Sequence, residues 1–84
     1  MADLLRLQRL AAQARSLTED PAFRRAYEKL YLEAFDTIRR SAPEDERARE
    51  EAYWSMRTLE RLDSALQAEI KAFDRASTMQ DREQ

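Results

Sequence analysis

The side chains that could carry chemistry in this 84-residue chain are carboxylates, guanidinium and amino groups, phenols and hydroxyls, because the sequence contains no His and no Cys; it also contains no Gly. Without His or Cys, neither a Ser-His nor a Cys-His nucleophile pair can be built, and the Glu-x-x-His motif of di-iron helical bundles is excluded as well. Without Gly, there is no loop of the kind that cradles phosphates or dinucleotides. The sequence therefore predicts a protein that is not an enzyme.

A metal site built only from carboxylates is the remaining chemical possibility. The acidic clusters are residues 44–46 and Glu50-Glu51. A metal site needs carboxylates that converge from several helices, whereas acidic residues at a helix start are explained by the helix dipole. Tyr27 and Tyr31 could line a ligand box, but aromatic residues one helical turn apart are more simply part of a core. We expect no catalytic residue, no bound metal and no cofactor.

The composition predicts an all-α fold, because charged residues of both signs make up 38% of the chain and Gly is absent. Asp20 followed by Pro21 is typical of a helix start. Ser41 and Glu44 fit the Ser-x-x-Glu capping box of another. We predict a long helical hairpin of two helices, preceded by a short N-terminal helix, in a single domain over residues 1–76. The predicted helices span about 3–17, 21–40 and 42–76, and the polar tail 77–84 is expected to fray.

The third predicted helix carries an apolar stripe at alternating spacings of four and three, which is a heptad pattern. Asp63 interrupts the stripe, with Leu62 beside it as a possible substitute. We predict that Phe23, Tyr27, Leu30 and Ala34 of the second helix are buried against the first part of this stripe. The stripe consists of Ala52, Met56, Leu59, Asp63, Leu66, Ile70 and Phe73.

The second half of the third helix is the predicted surface for another chain. At about 1.5 Å per residue, the third helix outreaches the second by roughly 20 Å, and this end should not stay bare. The first helix could cover it instead, but its cover would be thin. Trp54 either closes the core beside the second helix, which we favour, or anchors a partner, since Trp is enriched at binding hot spots. The candidate interface residues are Leu62, Leu66, Ile70, Phe73 and Trp54.

Charge and hydropathy restrict the partners. The net charge is −2, with a basic N-terminal segment and an acidic body. Broad binding to a nucleic-acid backbone needs a basic face, so we expect no nucleic-acid partner. No run of about 18 apolar residues exists, so we expect no membrane span, and Arg6 and Arg9 interrupt any signal-peptide core. These features favour a cytoplasmic protein whose partners are itself or other proteins, with no small-molecule substrate.

The segment from Ser16 to Phe73 resembles a family of small helical proteins that tailed bacteriophages encode beside head-assembly genes. The family's short Asn-Gly-Lys turn after the long helix is absent here, so the resemblance implies nothing about the C-terminal residues. The residues that carry the resemblance are Leu17, Glu19-Asp20-Pro21, Phe23, Ala26, Leu30, Tyr31, Ala34, Pro43-Glu44-Asp45, Arg49-Glu50 and Tyr53-Trp54.

The resemblance implies a head or virion accessory protein, present in the host cytoplasm during assembly and then in the virion. It implies no catalytic residue. Our leading hypothesis is a non-enzymatic structural or assembly protein of a tailed phage that acts through helix-mediated oligomerisation and protein contacts. The alternative is a small regulatory binding module, such as an inhibitor of a host factor or an antitoxin-like protein. A DNA-binding accessory of packaging is a third class, which would require a clustered Arg face.

Overall fold

The computed structural model describes the backbone of residues 2–83 and the side chains of residues 3–82. Within this range the chain forms three helices and no strand: α1 (Ala2–Glu19), α2 (Pro21–Arg40) and α3 (Glu46–Glu83). The predicted all-α, three-helix arrangement is confirmed. Contacts divide the chain into two compact units. Unit 1 combines α1 with α3 from Asp63 onward, and unit 2 spans Pro21–Leu62, so α3 contributes to both.

The break between α1 and α2 is a single residue, Asp20, whose backbone N–H donates to the Leu17 carbonyl at 3.1 Å. Pro21 opens α2 as predicted, because the first residues of a helix have no intrahelical acceptor for an N–H that Pro lacks. Helix α1 continues to Glu19, two residues past its predicted end.

The connection between α2 and α3 differs from the predicted capping box. Residues 42–45 form a reverse turn in which the Asp45 N–H donates to the Ala42 carbonyl at 2.9 Å. The Asp45 carboxylate accepts from the Ala42 N–H at 3.0 Å. Pro43 occupies the second position of this turn, where its fixed φ is favoured. Helix α3 consequently begins at Glu46 rather than at residue 42, and the Asp45 carbonyl accepts its first hydrogen bond, from Arg49.

Ser41 does not cap α3, and this prediction was wrong. Its hydroxyl instead donates to the Ile38 carbonyl at 2.7 Å, at the end of α2. The guanidinium of Arg49 also donates to the Ser41 hydroxyl at 3.2 Å and to the Pro43 carbonyl at 3.1 Å, and it contacts the Ala42 carbonyl. Arg49 therefore holds the turn together.

The C-terminal end of α3 lies beyond its predicted end at residue 76. The described helix runs through the tail that was expected to fray, as far as Glu83. No Gly or Pro interrupts these residues, and the Thr78 hydroxyl donates to the Asp74 carbonyl at 2.8 Å. Ser77 and Gln80 are half-buried, so contacts within unit 1 reach this part of the helix.

The buried core consists of alanines. Ala11 and Ala14 are buried in unit 1, and Ala34 and Ala52 are buried in unit 2. No large side chain among the described residues is fully buried. Small side chains at a contact let two helix axes approach closely, so each unit holds its helices together at alanine positions while larger side chains lie to either side.

Candidate interaction surface

Unit 2 is an antiparallel hairpin of α2 and the first part of α3, which the short turn at residues 42–45 requires. Ala34 and Ala52 are 7% and 6% exposed, as predicted for the α2–α3 contact. The Tyr27 hydroxyl donates to the Leu59 carbonyl at 3.0 Å and so joins the two helices. Tyr27 is half-buried, as a rim aromatic with a polar tip should be. Tyr27 therefore stabilises the hairpin through this bond between its two helices.

Leu30 is 52% exposed, so its predicted place in the core was wrong. The apolar stripe of α2 is wider than one helix can cover. On a helix, Leu30 and Phe35 fall on opposite flanks of the line through Tyr27 and Ala34. Phe35 is 51% exposed. One neighbouring helix covers the centre of the stripe and leaves both flanks open.

An open groove of about 1010 Å³ lies between α2 and α3 within unit 2. The buried Ala34 and Ala52 belong to its lining, and larger apolar side chains come from Leu30, Leu59 and Trp54. A groove lined by alanine has room for a large side chain from elsewhere. Its other lining residues are mostly polar: Glu33, Thr37, Arg47, Ala48, Glu50, Glu51, Ser55 and Thr58.

Trp54 is 58% exposed at the edge of this groove, so the favoured interpretation that it closes the core was wrong. Tyr53 beside it is 50% exposed. The two rings meet edge-to-face, with centroids 5.3 Å apart and planes inclined by 73°. Edge-to-face contact is a favoured geometry for aromatic pairs, and it restricts the conformations open to an exposed indole. The hairpin thus presents to solvent a pair of aromatic rings that are in contact with each other.

Charged residues flank Trp54 along α3. Arg47 pairs with Glu51 at 3.2 Å, and Arg57 pairs with Glu60 at 3.1 Å. All four side chains are well exposed, so these pairs contribute little to the stability of the fold. Their importance lies in the charge pattern around the groove.

The predicted interface on the second half of α3 is largely covered by the chain itself. Leu66, Ile70 and Phe73 are half-buried in unit 1, where α1 packs against this part of α3. Arg15 of α1 pairs with Asp74 at 3.2 Å. The first helix of the same chain therefore supplies cover here, which was the alternative to cover by another chain, and contact of this surface with another chain stays a prediction. Leu62, at 42% exposed, keeps more accessible surface.

Sequence reasoning missed several exposed apolar residues that lie outside the predicted stripes. In α1, Leu5 lies to one side of the apolar face formed by Leu7, Leu10, Ala14 and Leu17, and it is 63% exposed. In α2, Leu32 lies outside the apolar stripe and is 54% exposed. Their positions off the helical periodicity were the signal that could have identified them. Met79 falls in the segment expected to fray, and it is also exposed.

Over the part of the chain that the structure describes, no three Asp or Glu side chains come close enough together to hold a metal ion. None of the helices, across those same residues, is both long and apolar enough to cross a bilayer. Comparisons with protein-family models, with curated proteins and with solved structures find no match for this chain. The surface features that remain are a groove of mixed polarity, an exposed aromatic pair and a charge pattern, and all three are suited to contact with another protein.

Proposed function

We propose that this chain is a non-enzymatic structural or assembly protein of a tailed bacteriophage. In this role it binds copies of itself and other virion proteins through the surfaces of its helices. It is present in the host cytoplasm during assembly and then in the virion. The phage assignment rests on the resemblance of residues 16–73 to the helical phage family. The mode of action rests on the distribution of apolar side chains.

The observation that carries the mode of action is the contrast between a small core and a large exposed apolar surface. Within the described residues, the buried side chains are four alanines, while nine large apolar side chains are exposed. A chain of this length has no disulfide to compensate for a thin core, and small domains of this kind commonly gain stability by association. Exposed aromatic and aliphatic side chains near a groove are the features that protein interfaces use.

The test is mass spectrometry of purified phage particles from cells that produce this protein. We expect the protein in the particles at many fixed copies relative to the major head protein. A matched control is a cytosolic host protein of similar abundance, which purification should remove. Recovery from the same cells as a soluble one-to-one complex with a host enzyme, with none in the particles, would instead support the alternative of a regulatory binding module.

A further inference from the structure

We infer that two copies of this chain associate through the groove of unit 2, with Trp54 of each copy packed against the groove of the other. The inference rests on the proposed function, which requires contact between copies, and it names the surface that makes the contact. The arrangement is two-fold symmetric, so the same patch serves both partners. It joins two helical hairpins into a four-helix assembly.

The first argument is that the groove and the side chain that could occupy it, Trp54, lie on the same surface. Ala34 and Ala52 leave space beside Leu30 and Leu59, and 58% of Trp54 stays exposed at the groove's edge. Within one chain, Trp54 leaves the groove open. A two-fold contact fills the groove and also covers the exposed Trp54, because each copy supplies a Trp and receives one. Large aromatic anchors in small-residue pockets are the usual centre of a protein interface.

The second argument is the charge pattern on the Trp54 face of α3. Residues three, four and seven positions away share the face of a helix. On the N-terminal side of Trp54 these positions carry Arg47, Glu50 and Glu51, and on the C-terminal side they include Arg57 and Arg61. The N-terminal side is therefore net negative and the C-terminal side net positive, and all five residues are exposed.

A second copy that crosses antiparallel at Trp54 places the acidic side of each α3 opposite the basic side of the other. Glu50 of one copy then approaches Arg57 of the second copy, and the contact occurs twice because of the symmetry. The antiparallel arrangement opposes one like-charged pair, Arg47 and Arg61, whereas a parallel arrangement would place each of the five charged residues opposite its own copy. Charge complementarity of this kind selects the orientation of an interface.

The experiment measures self-association of the full chain by sedimentation equilibrium over a dilution series in the micromolar range. Trp54 is the only Trp in the sequence, so its fluorescence reports directly on the proposed interface. We expect the mass to fall from that of a dimer to 9.9 kDa on dilution. The Trp emission should shift to longer wavelength over the same range, as the indole becomes exposed to water.

Two matched substitutions locate the interface. Trp54→Ala should raise the dimer dissociation constant at least about 30-fold, as expected for a hot-spot residue. Phe35→Ala, which removes a comparably exposed aromatic ring from the flank of α2 away from Leu30, should leave it unchanged. Circular dichroism should show unchanged helix content for both variants, because both side chains are about half exposed.

Charge reversal tests the antiparallel orientation. Glu50→Arg alone and Arg57→Glu alone should each weaken the dimer about tenfold, because each places like charges opposite one another twice. The double variant Glu50→Arg with Arg57→Glu should recover an affinity within about threefold of the original protein. Recovery in the double variant is not expected if the residues act only on the fold of one chain.

A chain that stays monomeric throughout the series, or a dimer that Trp54→Ala does not weaken, would overturn the inference. A dimer that the double charge reversal fails to restore would overturn the antiparallel pairing. These results are separable from the proposed function. A dimer that is absent from phage particles retains the inference and refutes the phage assignment. A monomer found in particles refutes the inference and the self-association in the proposed function, and it retains the phage assignment.

Discussion

Replacing Ala34 by Leu tests whether the hairpin is held together by close contact at alanines. Ala34 is 7% exposed and also lines the groove, so a Leu side chain at this position either presses against α3 or turns into the groove. Against α3, three added carbon atoms must push the two helices apart or adopt a strained rotamer. Overpacking of this kind costs about 1–3 kcal/mol. For a domain of this length the whole free energy of unfolding is about 4–13 kcal/mol, so the loss is a substantial share.

The matched control is Ala26→Leu, the same substitution on the same helix at an exposed position. Ala and Leu have similar helix propensities, so this variant should stay within about 0.5 kcal/mol of the original protein. Urea unfolding followed by circular dichroism, at one protein concentration for all samples, gives both values. With a urea dependence of about 2 kcal/mol/M, a loss of 2 kcal/mol lowers the midpoint by about 1 M. Equal midpoints for the two variants would show that close contact with α3 does not limit the size of the side chain at position 34.

Three further substitutions have defined outcomes in the same assay. Leu30→Ala should lower the free energy of unfolding of the monomer by less than about 1 kcal/mol, because half of this side chain is already exposed and its removal leaves no enclosed cavity. A loss of about 2–5 kcal/mol would mean that Leu30 belongs to the core after all. Tyr27→Phe should cost about 1 kcal/mol through loss of the hydrogen bond to the Leu59 carbonyl, and an unchanged midpoint would contradict that bond. Arg49→Ala should lower the free energy of unfolding by about 1.5 kcal/mol, because the carbonyls of the α2–α3 turn lose their hydrogen-bond donor. Arg47→Ala is the control, and it should have no measurable effect because this side chain is exposed.

The helices themselves were predictable because their signals are local. Pro21 after Asp20 marks the start of α2, and the absence of Gly leaves few alternatives to helix. The start of α3 was predicted less well because two local signals compete around Pro43. The capping box favoured a start near residue 42, while a turn with Pro at its second position also fits. The turn prevails because Asp45 and Arg49 both bind its backbone groups.

The candidate surface was harder to predict because exposure depends on where a neighbouring helix passes. Leu30 lies one turn from Ala34, so periodicity alone places both on one stripe. The stripe does not show which of its flanks the neighbour covers. The burial of Leu66, Ile70 and Phe73 was hard to predict for the same reason, because it depends on the position of α1. The α1 sequence does not indicate whether α1 packs against that half of α3 or projects away from it.

Trp54 is the exception, because its exposure follows from the sequence once Ala52 is assigned to the α2–α3 contact. Residues two positions apart on an α-helix are separated by about 200° around its axis, so they cannot both face the same neighbour. A buried Ala52 therefore keeps Trp54 out of the α2–α3 contact itself, and the structure places Trp54 at the edge of the groove, 58% exposed. If Ala52 forms the contact with α2, a Trp two residues later cannot be a core residue of the same hairpin. The exposed Trp54, with Tyr53 edge-to-face beside it, is the surface on which the inferred contact with a second copy rests.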